Sequence, residues 1–215
     1  MTARGRVLAD VADRVATLAR PALVAIDGVD GVGKTVLADD LATTLGARGI
    51  RTVRVSIDGF HRPRVERYRR GRSSPEGYLE DSFDVDAFLA CVVEPVRRGG
   101  SGTVRPAVFD HRTDRSVDVA PVEVGDGVVL VDGIFLHRNG LAELWDLSLY
   151  LRAGFGTTFA RLAARDGTPP DPEDPVNRRY LEGQRLYLRT FDPEHRADIV
   201  LDLEDIGAPV VVSGP

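Results

Sequence analysis

The sequence predicts an α/β domain, a five-stranded parallel sheet flanked by helices. Three observations predict it. The candidate strands are short, nearly continuous apolar runs, as expected for strands buried on both faces. Amphipathic helical patterns alternate with those runs along the 215 residues, the order of a parallel sheet with crossover helices. A glycine-rich turn, GVDGVGKT, follows the first run and opens the next helix.

The elements follow in order. Val7, Leu8, Val11, Val15 and Leu18 recur at i, i+3/i+4 steps and predict an amphipathic first helix. Ala22 to Ile26 is the first strand, closed by Asp27-Gly28. Residues 33 to 47 keep helical periodicity, and Thr52 to Ile57 form the second strand. Asp84 or Asp86 opens a helix at about 84 to 98, and Gly99-Gly100 closes it. Val104 to Phe109 and Val117 to Val119 are short β candidates, read as a hairpin within about 100 to 122. Val128 to Val131 and Leu147 to Leu151 are further buried strands. Helices are expected at 155–165 and 176–190, with the acidic, proline-rich stretch Asp166 to Pro175 as a loop between them. Ile199 to Leu203 is the last strand. No repeat or low-complexity linker divides the chain, so residues 1–215 read as one domain.

Composition narrows the function classes. Hydrophobic residues make up 43% and charged residues 28%, and the net charge is −5. That balance argues against a chain built to grip nucleic acid. No apolar run is long enough to span a membrane. The N-terminus alternates apolar with charged residues and does not read as a signal peptide. The single cysteine, Cys91, lies in an apolar run and reads as a buried structural thiol, in keeping with a cytoplasmic location.

Lys34 is the only lysine in a chain with 28 lysines and arginines together. It sits in Gly28, Val29, Asp30, Gly31, Val32, Gly33, Lys34 and Thr35, which match G-x-x-x-x-G-K-[ST] between a strand and a helix. The three glycines let backbone N–H groups approach phosphate oxygens, and the helix N-terminus faces the anion. Thr35 offers a hydroxyl to Mg²⁺, and Lys34 reaches the β- and γ-phosphates. A compact ammonium on a flexible stem suits that crowded site, whereas the planar fork of arginine does not.

Two acids follow apolar strands. Asp58, in Ser56-Ile57-Asp58-Gly59-Phe60-His61, either closes a turn or faces the phosphate loop as a base or metal contact. Asp132 ends Val128-Val129-Leu130-Val131, the Walker-B pattern that holds the metal. A guanine-reading N-K-x-D motif cannot exist without a second lysine, and no LSGGQ-like stretch is present. These absences argue against ordinary GTPases and transporter ATPases.

Five segments carry a more specific resemblance: SIDGFHRP, RYRRGRSSPEGYLEDSFDVDAF, PAVFDHRTDR, VVLVDGIF and RRYLEGQRLYLRTF with HRADIVLD. In order and spacing the chain resembles the uridine kinase, phosphoribulokinase and pantothenate kinase group of P-loop kinases from about residue 20 to 203, and its uridine kinase-like branch most. The resemblance implies a P-loop NTPase fold, ATP as phosphoryl donor, Mg²⁺, and a nucleoside 5′-hydroxyl as acceptor, uridine or cytidine first. It implies that Asp58 is the general base, that Asp132 and Thr35 place the metal, and that Ser82-Phe83-Asp84 brings Asp84 to the ribose. Asp132 stands where the family usually has glutamate. Arg161 and Arg165, four apart on one helix face, resemble the arginines of a lid spanning about 155–190, with Arg179 as a further contact. Phe109-Asp110-His111-Arg112 occupies the base-reading hairpin, with phenylalanine for the usual tyrosine and an earlier histidine. His61, after Asp-Gly-Phe, is a further acceptor candidate. A homo-oligomer is left open by the resemblance.

His61 to Arg72 holds six arginines. They read as a solvated face or as part of an acceptor pocket. Two other readings of the chain stand beside a nucleoside kinase: a kinase of the same fold for another hydroxyl, such as pantothenate or a modified nucleoside, and a nucleotide-binding regulator that transfers nothing.

Overall fold

The computed structural model describes residues 2 to 213. Its centre is a six-stranded sheet. In chain order the strands are β1 (Ala22–Gly28), β2 (Thr52–Ser56), the short pieces β3 (Thr103–Val104), β4 (Phe109–Asp110), β5 (Arg115–Ser116) and β6 (Val122–Glu123), then β7 (Val128–Gly133), β8 (Leu147–Arg152), β9 (Ile199–Asp202) and β10 (Val210–Ser213). The sheet order is β10-β9-β8-β1-β7-β2. Five strands run parallel, as expected. The sixth, β10, is an antiparallel edge strand on β9, so the sheet has one strand more than the sequence reading assigned. Val210, Val211 and Val212 are exposed there, so burial patterning gives no hint of that strand.

The helices are α1 (Ala3–Ala16), α2 (Lys34–Gly46), α3 (Arg64–Arg67), α4 (Pro75–Asp81), α5 (Val85–Phe88), α6 (Glu94–Val96), α7 (Phe155–Asp166), α8 (Arg178–Phe191) and α9 (Pro193–Arg196). Alternate residues of β1, β7, β8 and β9 feed two cores. Ala22, Val24 and Ile26 of β1 pack with Leu8, Val11 and Val15 of α1 and Leu37 and Leu41 of α2. Leu23 and Ala25 pack on the opposite side with Tyr78, Phe88, Phe135 and Tyr187. A parallel sheet covered on both faces is the result.

Several local expectations are revised. The helix expected at about 84 to 98 is α5 and α6 joined by a π-helical turn, Leu89–Val93. The expected hairpin is two nested ladders, β3 with β6 and β4 with β5. Helix α4 was not expected, although Ser74 caps it by accepting from Gly77 N and Pro75 opens it. Cys91 is half-buried against the core rather than fully enclosed. Among the described residues no helix is long and apolar enough to cross a membrane.

Register fixes where the chemistry gathers. Asp132 of β7 is level with Ile26 of β1 and with Ser56 of β2. The phosphate loop, Asp58 and Asp132 therefore all leave the same carboxyl edge of the sheet, the place where ligands of such sheets bind.

Candidate active site

The phosphate loop connects β1 to α2. Gly31 has φ +76°, and a Cβ there would lie 2.4 Å from Thr158 O, so only glycine lets α7 close over the loop. Lys34 Nζ donates to Gly28 O and Val29 O at 2.8 and 2.9 Å, which folds the ammonium against the loop itself. The Thr35 hydroxyl donates to Asp132 Oδ2 at 2.9 Å. Asp132 is only 3% exposed, and its other oxygen is met by Arg54 Nη2 at 3.0 Å. Arg54 in turn holds Asp39 of α2 at 3.0 Å. Sequence reasoning missed Arg54, whose place on the half-buried β2 gave no sign of a partner on β7.

Hydroxyl and carboxylate oxygens are the donors that Mg²⁺ prefers, and Thr35 and Asp132 stand together. Among the described residues no three His, Cys, Asp or Glu side chains cluster as a metal cage. A cation here would take its remaining ligands from phosphate and water, which is how Mg²⁺ is usually held in kinases. The residues fit the ion.

Asp58 sits on a 3₁₀ turn, Ile57–Phe60, capped by Ser56 Oγ, which accepts from Asp58 N at 3.3 Å. A Cβ on Gly133 would lie 2.2 Å from Ile57 Cγ2. The glycine after Asp132 thus lets the two acid-bearing strand ends touch. The Asp58 side chain is 58% exposed, and His61 Nδ1 lies 4.0 Å from its carboxylate.

Two cavities meet here. One, of about 270 Å³, is lined by Gly31, Gly33, Lys34, Thr35, Asp132 and Arg161 among others. The second, of about 440 Å³, is lined by His61, Arg67, Tyr68, Tyr78, His111, Asn177, Arg179 and Tyr180 among others. Asp30, Asp58, Ile134, Leu162 and Arg165 line both. The phosphate cradle and the second cavity therefore share a wall that carries Asp58.

The second cavity has two aromatic sides. Tyr78 and Tyr180 meet edge to face at 5.0 Å, and Arg179 lies over Tyr68 and Tyr78 at 4.9 and 5.6 Å. Opposite, His61 stacks on Phe83 at 4.5 Å and on His111 at 4.7 Å. Burial pushes the Tyr78 hydroxyl well above its ordinary value, and Asp30 adds to this. It stays protonated and donates to Asp30 Oδ2 at 2.5 Å. His61 is shifted down, chiefly by burial, with Asp58 opposing and His111 and Arg67 reinforcing. A neutral imidazole at neutral pH follows.

The guanidinium groups of the two cavities already have partners. Arg179 donates to Gly71 O, Ser74 O and Arg67 O at 3.3, 3.1 and 3.0 Å. Arg67 donates to Arg62 O and Asp114 Oδ1 at 2.8 and 3.3 Å. Arg165 is paired with Asp166 at 2.7 Å and is 69% exposed. Arg161 is docked rather than mobile, donating to Leu203 O and Glu204 O at 2.9 and 3.0 Å and to Val32 O at 3.4 Å.

The expected acceptor residues divide. His61, His111 and Arg179 line the second cavity. Asp84 instead caps α5, accepting from Ala87 N at 3.0 Å. Phe83 and Phe109 are buried, Phe83 behind His61 and Phe109 in the β4–β5 ladder. Arg112 lies in the hairpin turn, its N–H donated to Asp110. None of these four is among the cavity-lining residues. The tyrosine wall was missed. Its sequence signal was scarcity, since three of only five tyrosines line one cavity. In the arginine cluster, Arg69 and Arg70 bind the buried Asp81 at 2.6 and 3.0 Å and build the loop rather than the pocket.

No family model matches the chain. Among curated proteins it is similar to the uridine kinase of Leuconostoc citreum, 24% identical over 149 residues, 68% of this chain and 69% of the relative. It is also similar to the thymidylate kinase of Xanthomonas euvesicatoria pv. vesicatoria, 29% identical over 191 residues, 86% of this chain and 79% of the relative. Among solved structures, a possible uridine kinase from Bacillus stearothermophilus aligns with TM-score 0.70 at 23% identity, over 90% of this chain and 96% of that one. A candidate fructose transport system kinase from Silicibacter sp. TM1040 aligns with TM-score 0.68 at 26% identity, over 85% and 94%. The phosphoribulokinase of Rhodobacter spheroides aligns with TM-score 0.58 at 17% identity, over 82% and 68%.

Proposed function

The chain carries the fold and motif order of the uridine kinase and phosphoribulokinase group of P-loop kinases, and from that premise we propose that it transfers the γ-phosphoryl group of ATP to the 5′-hydroxyl of a nucleoside, uridine or cytidine first. The observation that supports this reading most is the wall shared by the two cavities, with Asp58 on it. A hydroxyl in the larger cavity and a γ-phosphate in the smaller one meet beside that carboxylate.

The reaction forms an acceptor oxygen–phosphorus bond and breaks the bond between the γ-phosphorus and its bridging oxygen. ADP leaves, and the hydroxyl proton goes to Asp58. Lys34 and the loop N–H groups hold the β- and γ-phosphates. Arg165, exposed and held by its neighbour Asp166, neutralises the charge that spreads over the transferring group once it turns to the phosphates. Mg²⁺, held by Thr35 and Asp132, would neutralise phosphate charge when bound. Arg161 keeps α7 seated on the loop and so helps exclude water.

Thymidylate kinase relatives raise a second reading, a phosphorylated acceptor. The charges of the cavity favour an uncharged one. Arg67 and Arg179 already donate to carbonyls and Asp114, while Asp30, Asp58 and Asp166 all line the space. An aromatic-sided cavity also suits a planar base.

The test is ADP release with Mg·ATP against uridine, cytidine, adenosine, thymidine monophosphate, pantothenate and simple sugars, each product checked by mass for an added phosphate. Turnover with uridine or cytidine is the expected result. Turnover confined to the monophosphate refutes the charge argument, and turnover with pantothenate or a sugar moves the acceptor. ATP binding without turnover on any of them favours a regulator.

A further inference from the structure

Asp27 is the penultimate residue of β1, directly ahead of the phosphate loop, and the transfer chemistry above makes no use of it. The residue is fully buried. Its carboxylate gathers four polar hydrogens, one from the neighbouring residue and three from two distant segments. Gly28 N donates to Oδ1 at 2.7 Å. On Oδ2 converge His137 N at 3.1 Å, the His137 ring Nδ1 at 2.8 Å and the Tyr187 hydroxyl at 2.5 Å. A carboxylate this deep costs much more than its partners return unless nearly every lone pair is met. Here they are met, and the group stays ionised. Burial alone would raise its pKa, but the His137 ring, Tyr187 and the Gly28 amide outweigh burial and hold it below the usual carboxylate value.

Each partner belongs to an element of the site. Gly28 is the first residue of the phosphate loop. His137 lies just past Asp132, across Phe135, a bulky residue held at φ +66°, where a non-glycine backbone is strained. Tyr187 lies on α8, which also supplies Gln184, whose Oε1 accepts from Asp30 N at 2.6 Å. One turn further back, the same helix brings Arg179 and Tyr180 to the second cavity.

We propose that Asp27 is the positioning residue of the phosphate loop. With His137 and Tyr187 it locks the loop's first amide, the strained turn beyond Asp132 and α8 into one register, so nucleotide affinity depends on α8 being seated. This rests on the nucleotide-binding half of the reading above and not on the identity of the acceptor.

The test is Tyr187→Phe, which deletes one donor to the charged carboxylate together with the oxygen that accepts from His137 N at 2.9 Å, and keeps the ring against Phe135 and Phe191. ADP affinity is measured by calorimetry without acceptor, beside the thermal midpoint of the unliganded chain. A hydrogen bond to a charged group predicts that ADP binds about tenfold more weakly. A purely structural role would lower the midpoint and leave ADP affinity unchanged, and that result overturns the proposal. Gln184→Met reads the same coupling at the other end of the loop with the buried carboxylate intact. Weaker ADP binding is expected there too, and wild-type affinity in a folded Gln184→Met chain counts against the proposal even when Tyr187→Phe does not fold. A wild-type chain that binds no ADP overturns the kinase reading and the proposal together, whereas unchanged affinity in the variants overturns the proposal alone.

Discussion

Replacing Asp58 by asparagine keeps the shape of the side chain and removes its charge. The structure predicts two very different magnitudes. Asp58 is 58% exposed, with only His61 nearby at 4.0 Å, so stability should change by no more than about 0.5 kcal/mol, the range of an ordinary surface substitution. For a domain of this size that is a shift of about 1–2 °C in Tm. A positioned general base, by contrast, contributes about 10²–10⁴ in rate, or roughly 2.7–5.5 kcal/mol of barrier. Nucleotide affinity should hold, since in the proposed reaction the phosphates rest on the loop amides and Lys34. The assay is kcat and kcat/KM from coupled ADP release, with ADP affinity and Tm measured on the same preparation. Turnover within tenfold of wild type would refute the base assignment. A large fall in Tm or in ADP affinity would show that Asp58 does something the geometry does not contain.

Lys34→Arg keeps the charge, yet the ammonium now fits within 2.8 and 2.9 Å of two loop carbonyls, where a guanidinium fork has no room; calorimetry should show ADP binding weakened at least about tenfold. Equal affinity would remove the argument for the lone lysine. Arg179→Lys replaces a fork that meets three carbonyls and two tyrosines with a single point charge, so hydrogen exchange in residues 67–74 should rise and acceptor KM increase about tenfold while ADP affinity holds. Unchanged exchange would refute the scaffold role. His61 has its pKa lowered from 6.5, so the unfolded chain binds a proton that the fold resists. Its contribution to stability is full above 6.5 and is lost as pH falls through the folded value. Denaturant titrations should therefore show wild type losing more stability than His61→Phe as pH drops below 6.5, and parallel curves would refute the shift.

Local motifs were legible because their chemistry is local. The phosphate loop, Asp58 and Asp132 each sit within a few residues of the strand that aims them. The parallel sheet was legible for the same reason, since buried strands are unbroken apolar runs. Strand β10 escaped because its three valines face solvent and follow Pro209. Helix α4 escaped although Ser74 and Pro75 announce it, because an arginine-rich stretch hides its short apolar face. Contacts between distant segments were not legible at all. Tyr68, Tyr78 and Tyr180 become one wall only once α8 packs on α4, and Asp27, His137 and Tyr187 carry no common spacing. Asp84 shows that a motif position can serve the fold as well: one oxygen of its carboxylate caps α5 at the amide of Ala87.

The two cavities are divided by side chains that belong to both, and this unevenly constrains how such a kinase can change. On the proposed reading, Asp30, Asp58, Ile134, Leu162 and Arg165, which line both cavities, answer to donor and acceptor at once, so a substitution there that suits a new acceptor also disturbs the phosphates. The far side answers to the acceptor alone. His111 stands in a hairpin turn, and Thr168 and Asn177 lie in the loop between α7 and α8, segments that tolerate exchange and insertion. Drift should therefore collect on that far side while the dividing wall stays fixed. One scaffold can then serve proteins named for substrates as unlike as uridine and ribulose phosphates.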